Sequence, residues 1–326
     1  MSTVGLLGFT ARRLIVAVPL LLCVVIVNFT LIELAPGDPV TMLVGDYPAP
    51  VEYVAQVRHD FGLDKPLPVR LLAYLGQIAV GNLGFSFVNR QPVLSLIVER
   101  LGATLALTLT ALVFATVVGI ALGIIAARHR ARAIDSAVQT ASLAGYSVPE
   151  FWIGQVLILV FAVWLGWLPS QGAHSLRAPH QGLGALTDFV NHLVLPALAL
   201  SFRYLALISR MTRSSLIEVL GSDYVLAART RGLSERRVLF AHALRNAAAP
   251  ILTVIGYNLG FVLAGATLIE SVFGWPGIGQ LLYSSVTARD YPVMTGILLL
   301  ISATVVVANL LTDLTQAVID PRTRST

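Results

Sequence analysis

Residues 103–127 read ATLALTLTALVFATVVGIALGIIAA, and the five that follow, Arg128-His129-Arg130-Ala131-Arg132, hold three arginines. At about 1.5 Å of rise per residue, an uncharged run of this length crosses a hydrocarbon core of about 30 Å. A helix of a soluble domain shows a charged face opposite its apolar stripe. Here the polar positions hold only threonine, so the segment is expected to lie in a bilayer and to stop at the basic cluster. Gly119 and Gly123 form a small-xxx-small pair that lets a neighbouring helix approach closely.

Five further blocks resemble it. The expected spans are 14–34 with Pro19 near its start, 103–127, 137–167 broken at Pro149, 192–209, 251–272 and 295–319. Prolines within spans are tolerated where neighbouring helices satisfy the freed backbone groups. The composition agrees, at 56% hydrophobic and 12% charged with a mean hydropathy of +0.80, against about 25% charged residues in soluble domains. The expected fold class is all-α: a polytopic membrane protein with six transmembrane helices. Arg12 and Arg13 precede the first block, which is too long for a signal-peptide core. Glu33-Leu34-Ala35 is not a small-x-small cleavage site, so an uncleaved first span is expected.

Arginines set the orientation. They gather at Arg12 and Arg13, at Arg128, Arg130 and Arg132, between spans four and five from Arg210 to Arg245, and at Arg322 and Arg324. The short loops of the opposite set hold only Arg177 and Arg289. Both termini are therefore expected in the cytoplasm, and the number of spans is even.

The expected organisation is an N-terminus and first helix (1–35), an outer helical lobe (36–102), a membrane core (103–319) and a cytoplasmic tail (320–326). In the lobe, Val51, Val54, Val57 and Phe61 recur at helical spacing before Gly62. Pro68 opens a second helix carrying Leu71, Leu72, Leu75 and Ile78, and Gly81 to Gly84 end it. The lobe reads equally as a structural cap or as a docking surface. The connection 211–250 carries a short helix at 224–231, a break at Gly232 and a second helix opened by Ser234. Its arginines obey the positive-inside rule as a solvated face would. The glycine hinge beside small residues favours docking into another protein's groove.

Several chemistries are missing. The only lysine, Lys65, is followed by Pro66 and preceded by Leu63-Asp64, so no G-x-x-x-x-G-K-[ST] phosphate loop exists and the chain is not expected to be an ATPase. There is no H-E-x-x-H zinc pair, and Gly84-Phe85-Ser86-Phe87 lacks the closing glycine of a nucleophile elbow. No catalytic residue, metal site or cofactor is expected. Cys23, alone, is expected as a buried, inert small hydrophobe. The net charge of +5 is carried by arginines in short loops, which gives no nucleic-acid surface. Glu150 is the acidic residue deep in an expected span. It either faces a water-filled path, where it could meet an ammonium group, or caps a helix unwound at Pro149.

The run Asp223-Tyr224-Val225-Leu226-Ala227-Ala228-Arg229-Thr230-Arg231-Gly232-Leu233-Ser234 resembles the cytoplasmic-loop motif of binding-protein-dependent importer permeases. His242-Ala243-Leu244-Arg245-Asn246 with Pro250 continues the likeness. The chain is similar to the B-type permease subunit of oligopeptide, dipeptide and nickel importers. That match is carried by Pro36-Gly37-Asp38-Pro39, by Phe61-Gly62-Leu63-Asp64-Lys65-Pro66 and by Gly81-Asn82-Leu83-Gly84-Phe85-Ser86. Glu270-Ser271-Val272-Phe273, Pro276-Gly277-Ile278-Gly279, Arg289-Asp290-Tyr291-Pro292 and Asp320-Pro321-Arg322 extend it. Leu226 stands where the wider family often has glutamate, and Asn82 where aspartate is frequent.

The resemblance implies the type I ABC importer permease fold in a bacterial inner membrane. It implies a second, homologous permease paired by a pseudo-two-fold axis, two ATP-binding subunits, an extracytoplasmic substrate-binding protein and membrane lipid as partners. Coupling to the ATPase is expected to fall on Ala227, Ala228, Arg229, Gly232 and Leu233, with Glu150 on the pathway. The cargo is expected to be oligopeptides or dipeptides, the alternatives being nickel, haem or another small solute. A stand-alone secondary transporter is the rival reading.

Overall fold

The computed structural model describes residues 3–34, 50, 52, 55–56, 59, 64–86, 88–175, 182–261, 263 and 266–319, without the side chains of 3–14, 17, 31–32 and 316–319. Of the expected helix at 51–61 only residues 52, 55–56 and 59 are described, and these are helical; the stop at 36–39, Arg177 and the tail from 320 lie outside the described residues.

The chain is helical almost throughout. Helix α1 spans Thr3–Glu33 with Pro19 inside it. Helix α2, Leu67–Ala79, starts after Pro66 and ends at Val80, with Gly81 at a φ of 79°. Leu71, Leu75 and Ile78 of the expected face are half-buried together with Tyr74, whereas Leu72, expected beside them, is exposed, because consecutive helical positions point about 100° apart. Phe29 of α1 stacks on Tyr74 at 5.4 Å between ring centroids, and Arg70 pairs with Glu33. A two-residue antiparallel ladder, Phe85–Ser86 with Gln91–Pro92, precedes α3, Val93–Arg128. The expected lobe boundary at 102 therefore falls inside a helix.

Helix α4, Ala133–Ser147, and helix α5, Glu150–Leu157, meet at Pro149, and a π-helical turn, Ile158–Trp164, continues α5. The break expected at Pro149 is present, and the two halves cross at 100°. Proline fixes its own φ, biases the preceding residue away from the helical region and removes a backbone donor. Val148 is accordingly extended at φ −80° and ψ 131°. Helix α6, Leu183–Leu220, contains Pro196 and runs well past the expected end at 209. Helix α7, Asp223–Thr230, follows a short turn. Helix α8, Glu235–Arg237, leads through a π-helical turn, Val238–Ala243, into α9, Leu244–Gly260.

The fifth span, expected unbroken over 251–272, ends at Gly260. There the Phe261 N–H closes a tight turn on the Asn258 carbonyl at 3.1 Å, and a separate helix α10 covers Thr267–Val272. Helix α11, Ile278–Thr287, and helix α12, Tyr291–Ile319, complete the described chain.

Six spans are expected from hydropathy. Among the described residues, Val93–Arg128, Leu183–Leu220, Glu235–Gly260 and Tyr291–Thr315 are long and apolar enough to cross a membrane, and the bent pair makes a fifth if counted as one. On α1 the apolar stretch Val18–Thr30 is shorter than a span. Cys23 is exposed on that helix rather than buried. Its neighbours Leu20, Leu22 and Val27 are exposed too, so this face of α1 is turned away from the protein core.

Helix α6 is the centre of the bundle. It packs most extensively against α3, and also against α4, α5 and α9. The glycine pair expected to admit a neighbour lies on that seam. A Cβ at Gly119 would stand 3.1 Å from Ile208 and the Leu205 carbonyl. One at Gly123 would stand 2.5 Å from Thr212 Cβ and 2.7 Å from the Ser209 carbonyl. Both partners move up by four residues as the glycines do, so α3 and α6 run parallel and in register. Gly123→Ala should therefore destabilise the purified protein by about 1–3 kcal/mol, the usual cost of overpacking, and Gly119→Ala by less. A melting temperature unchanged by Gly123→Ala would show that the seam has room to spare.

Candidate functional site

The projection after α6 is built on its own small core. Val225 and Val238 are fully buried and Ala228 nearly so, with Val219, Leu220 and Leu233 packed against them. Gly232 ends α7 at φ 78°, a left-handed conformation that glycine adopts without steric cost. Its N–H bonds the Arg229 carbonyl at 2.9 Å, and the Leu233 N–H bonds the Ala228 carbonyl at 3.3 Å. Arg229 forks onto Glu235 at 2.9 and 3.2 Å, which ties α7 to α8 on the exposed side. Asn246 Nδ2 donates to the Tyr224 hydroxyl at 2.8 Å, fixing α7 to α9.

The residues expected to act in coupling thus share one projection but not one role. Ala227 is exposed beside Leu226, whereas Ala228 is turned into the small core. The two were expected to behave alike, but consecutive helical positions point about 100° apart. Leu233 is half-buried against the same core, and Gly232 opens onto empty space, with nothing within 4 Å of a Cβ placed there. The outward surface comprises Tyr224, Leu226, Ala227, Arg231 and Phe240. Leu226 and Phe240 are 60% and 51% exposed, so two large apolar side chains stand on this surface. Residues 211–220, expected to belong to the cytoplasmic connection, continue α6, so the projection proper begins at Gly221.

A buried ion pair holds the base of the projection. Arg213 of α6 donates to both oxygens of Asp135 on α4, at 2.6 and 2.7 Å. The Ala131 N–H and Gln139 Nε2 donate to the same carboxylate at 3.0 and 3.3 Å. Asp135 lies in the first turn of α4, where the helix dipole favours a negative charge.

Glu150 belongs to another part of the fold. It is the first residue of α5, half-buried, behind the Pro149 break. Helix α5 packs on α6 and α10, so Glu150 is not brought near the projection.

Two further constellations emerge only in three dimensions. Ser86 donates to Asp290, both buried, and Asn89 Nδ2 donates to Ser86 Oγ at 3.0 Å. Two sequence motifs of the resemblance are thereby joined, and Pro292 lies 3.6 Å from a Cβ placed on Gly84. Glu270, on α10, is fully buried. Thr104 Oγ1 of α3 donates to it at 2.6 Å, and the Gln280 N–H of α11 donates at 3.0 Å. Thr104 Oγ1 in turn accepts the Ile278 N–H at 2.7 Å, and Trp275 Nε1 donates to the Ala103 carbonyl at 2.9 Å. A Cβ at Gly277 would fall on the Glu270 carboxylate, so glycine is required for this close approach. The carboxylate clamps α3, α10 and α11 together. The sequence placed Glu270 merely towards a span end, and only its position in a motif pointed to a role. Among the described residues no group of three or more His, Cys, Asp or Glu could hold a metal ion.

Comparison with known proteins bears on the whole chain. The family described as "Binding-protein-dependent transport system inner membrane component" matches residues 119–325, and its N-terminal companion matches residues 6–108. The chain is 44% identical to the di/tripeptide transport system permease protein of Pseudomonas aeruginosa, over 98% of this chain and 99% of that protein. It is 40% identical to the dipeptide transport system permease protein of Escherichia coli K12, with the same coverage. It is 39% identical to the glutathione transport system permease protein of Salmonella choleraesuis, again over 98% and 99%. Among solved structures, an inward-facing form of the MetNI methionine ABC transporter aligns with a TM-score of 0.57 at 19% identity, covering 69% of this chain and 96% of that one. That likeness carries the fold.

Proposed function

Since the chain belongs to the family of binding-protein-dependent transport system inner membrane components, we propose that it is the permease subunit of an ATP-driven importer of short peptides. The observation that carries this reading is the full-length likeness to permeases named for di/tripeptide and dipeptide transport. The chain sits in the inner membrane as a multi-pass protein with both termini in the cytoplasm, following its arginines, and with six spans. A second, related permease completes the pathway. Two ATP-binding subunits bind on the cytoplasmic side, one of them receiving the projection around Gly232 in a groove, and a substrate-binding protein delivers peptide from outside. Leu226, Ala227 and Phe240 supply the apolar part of the ATPase contact and Arg231 a charged rim, a composition suited to a groove on a soluble partner. No bond is made or broken on this chain, and hydrolysis belongs to the partners.

Reconstitution tests the proposal. Vesicles holding this chain, its second permease, the ATP-binding subunits and the binding protein should take up labelled alanyl-alanine only when ATP is supplied on the subunits' side. Vesicles holding this chain alone should take up none. Uptake by the chain alone, driven by a proton gradient, would make it a secondary carrier. ATP-driven uptake of nickel or haem with no peptide uptake would replace the cargo.

A further inference from the structure

Arg203 is a charge in the middle of the membrane bundle. Because α3 and α6 are parallel and in register through Gly119 and Gly123, Arg203 lies level with Ala115 and Thr116, at the centre of the uncharged run 103–127. The cytoplasmic end of that run, Ala127, lies twelve residues beyond Ala115, about 18 Å along the axis at 1.5 Å per residue, which exceeds the reach of an arginine side chain. Yet Arg203 is exposed in the isolated chain. Between His192 and Ser209, only Phe202 and Arg203 of α6 are exposed, every other residue being buried or half-buried. The opening lies where α4 and α5 splay apart by 100° at Pro149, with Gly145 against the Phe202 ring.

Glu150 stands at the same break. The two charges lie within electrostatic reach of each other and of Tyr204. Among the described residues neither side chain forms a salt bridge or a hydrogen bond. This sets them apart from Arg70 with Glu33 and Arg213 with Asp135, which are closed pairs. A charge at the bilayer centre that faces hydrocarbon costs at least about 2.5–3.5 kcal/mol, so such residues face a protein interior or a water-filled cavity. Two opposite charges, unpaired, at mid-membrane and at one opening offer a complementary site to a ligand carrying both signs.

We propose that Arg203 and Glu150 contact the substrate inside the membrane, the guanidinium receiving a peptide's terminal carboxylate and the carboxylate receiving its terminal ammonium. The pair therefore selects short peptides with both termini free. This rests on the peptide-import reading, and it adds Arg203, a side chain that hydropathy hides because one arginine barely alters the mean of an apolar span. The planar guanidinium fork matches a carboxylate in two bonds, where lysine would act only as a point charge.

The test compares the assembled complex in vesicles with wild-type chain, Arg203→Gln, Arg203→Lys and Glu150→Gln. The substrates are alanyl-alanine, its C-terminal amide and its N-acetyl derivative. The same binding protein serves every sample, so its own selectivity cancels when mutant ratios are divided by wild-type ratios. Arg203→Gln should lower uptake of the free acid relative to the amide by about tenfold, the loss of one charge-assisted contact, and leave the free-amine to acetyl ratio alone. Glu150→Gln should do the converse, and Arg203→Lys should fall between wild type and Arg203→Gln. Equal losses for all three peptides, or a lower complex yield with unchanged ratios, would make the pair a contact with the second permease and overturn the proposal. Unchanged uptake throughout overturns it too. A wild-type complex that moves none of the peptides overturns the import reading and this proposal with it, whereas unchanged ratios in an importing complex overturn this proposal alone.

Discussion

Replacing Gly232 by tryptophan is expected to abolish ATP-driven uptake while the protein remains in the membrane at its normal level. Two terms decide this. The backbone at Gly232 is left-handed, which costs any L-residue about 1–2 kcal/mol. That is a modest charge against a projection held by Val225, Ala228 and Val238, by the Arg229–Glu235 fork and by the Asn246–Tyr224 bond. The second term is steric and lies outside the chain. Apart from its chain neighbours, no described residue stands within 4 Å of a Cβ at Gly232, so an indole there starts into open space on the side where a partner would dock. Gly232→Ala bears the backbone cost with little of the bulk, and it should retain most of the uptake. Ala227→Trp should resemble Gly232→Trp, because Ala227 faces outward. Ala228→Trp should instead unfold the projection, because Ala228 is packed inside it. The measurements are uptake in reconstituted vesicles and co-purification of the ATP-binding subunits. If Gly232→Trp retains both at wild-type levels, this surface is not where the ATPase binds.

Asp135→Ala is expected to cost about 3–5 kcal/mol, the usual penalty for stranding one member of a buried ion pair. Asp135 accepts four hydrogen bonds, two of them from the Arg213 fork, and is 3% exposed. Its loss leaves a guanidinium with 22% of its side chain exposed and no counter-charge, where α4 meets α6 beside the projection. That partial exposure argues for the lower end of the range. The yield of monodisperse complex on gel filtration should collapse, and the double variant Asp135→Ala/Arg213→Met should recover much of it by removing the orphaned charge. A single variant with wild-type yield and melting temperature would mean that the pair contributes nothing, as many solvent-screened pairs do. Comparing the single and double variants also separates the pair's attraction from the penalty of breaking it.

Much of this protein was legible in one dimension because membrane insertion is governed by additive transfer energies. Leu, Ile, Val and Ala in blocks of twenty or more place a segment in lipid whatever its neighbours do. That placed the cores of the long helices within a few residues, together with the break at Pro149, where the ring's fixed φ acts locally. Most of the inward face of α2 followed from spacing, and Gly232 from the sole ability of glycine to take a left-handed turn at no steric cost. Helix ends were less legible. Helix α6 runs on to Leu220 and the fifth span stops at Gly260, since past the lipid boundary hydropathy no longer distinguishes helix from loop.

Only the tertiary structure decided which residues meet. Ser86 with Asp290, Thr104 with Glu270, and Asp135 with Arg213 are separated by 204, 166 and 78 positions, and no local rule pairs them. Ala227 and Ala228 are one residue type in sequence, and the fold turns one outward and one inward. Cys23 reads as a core residue and proves exposed, because a hydrophobic residue on a membrane helix is equally at home against lipid or protein. The sequence by itself determined that this chain lives in a membrane and where its chain breaks, since those depend on each residue's own solvation and backbone freedom. The structure alone decided its contacts, since the clamp at Glu270 needs α3, α10 and α11 to meet and the depth of Arg203 follows from the parallel register of α3 and α6, properties of packed helices that no single sequence segment contains.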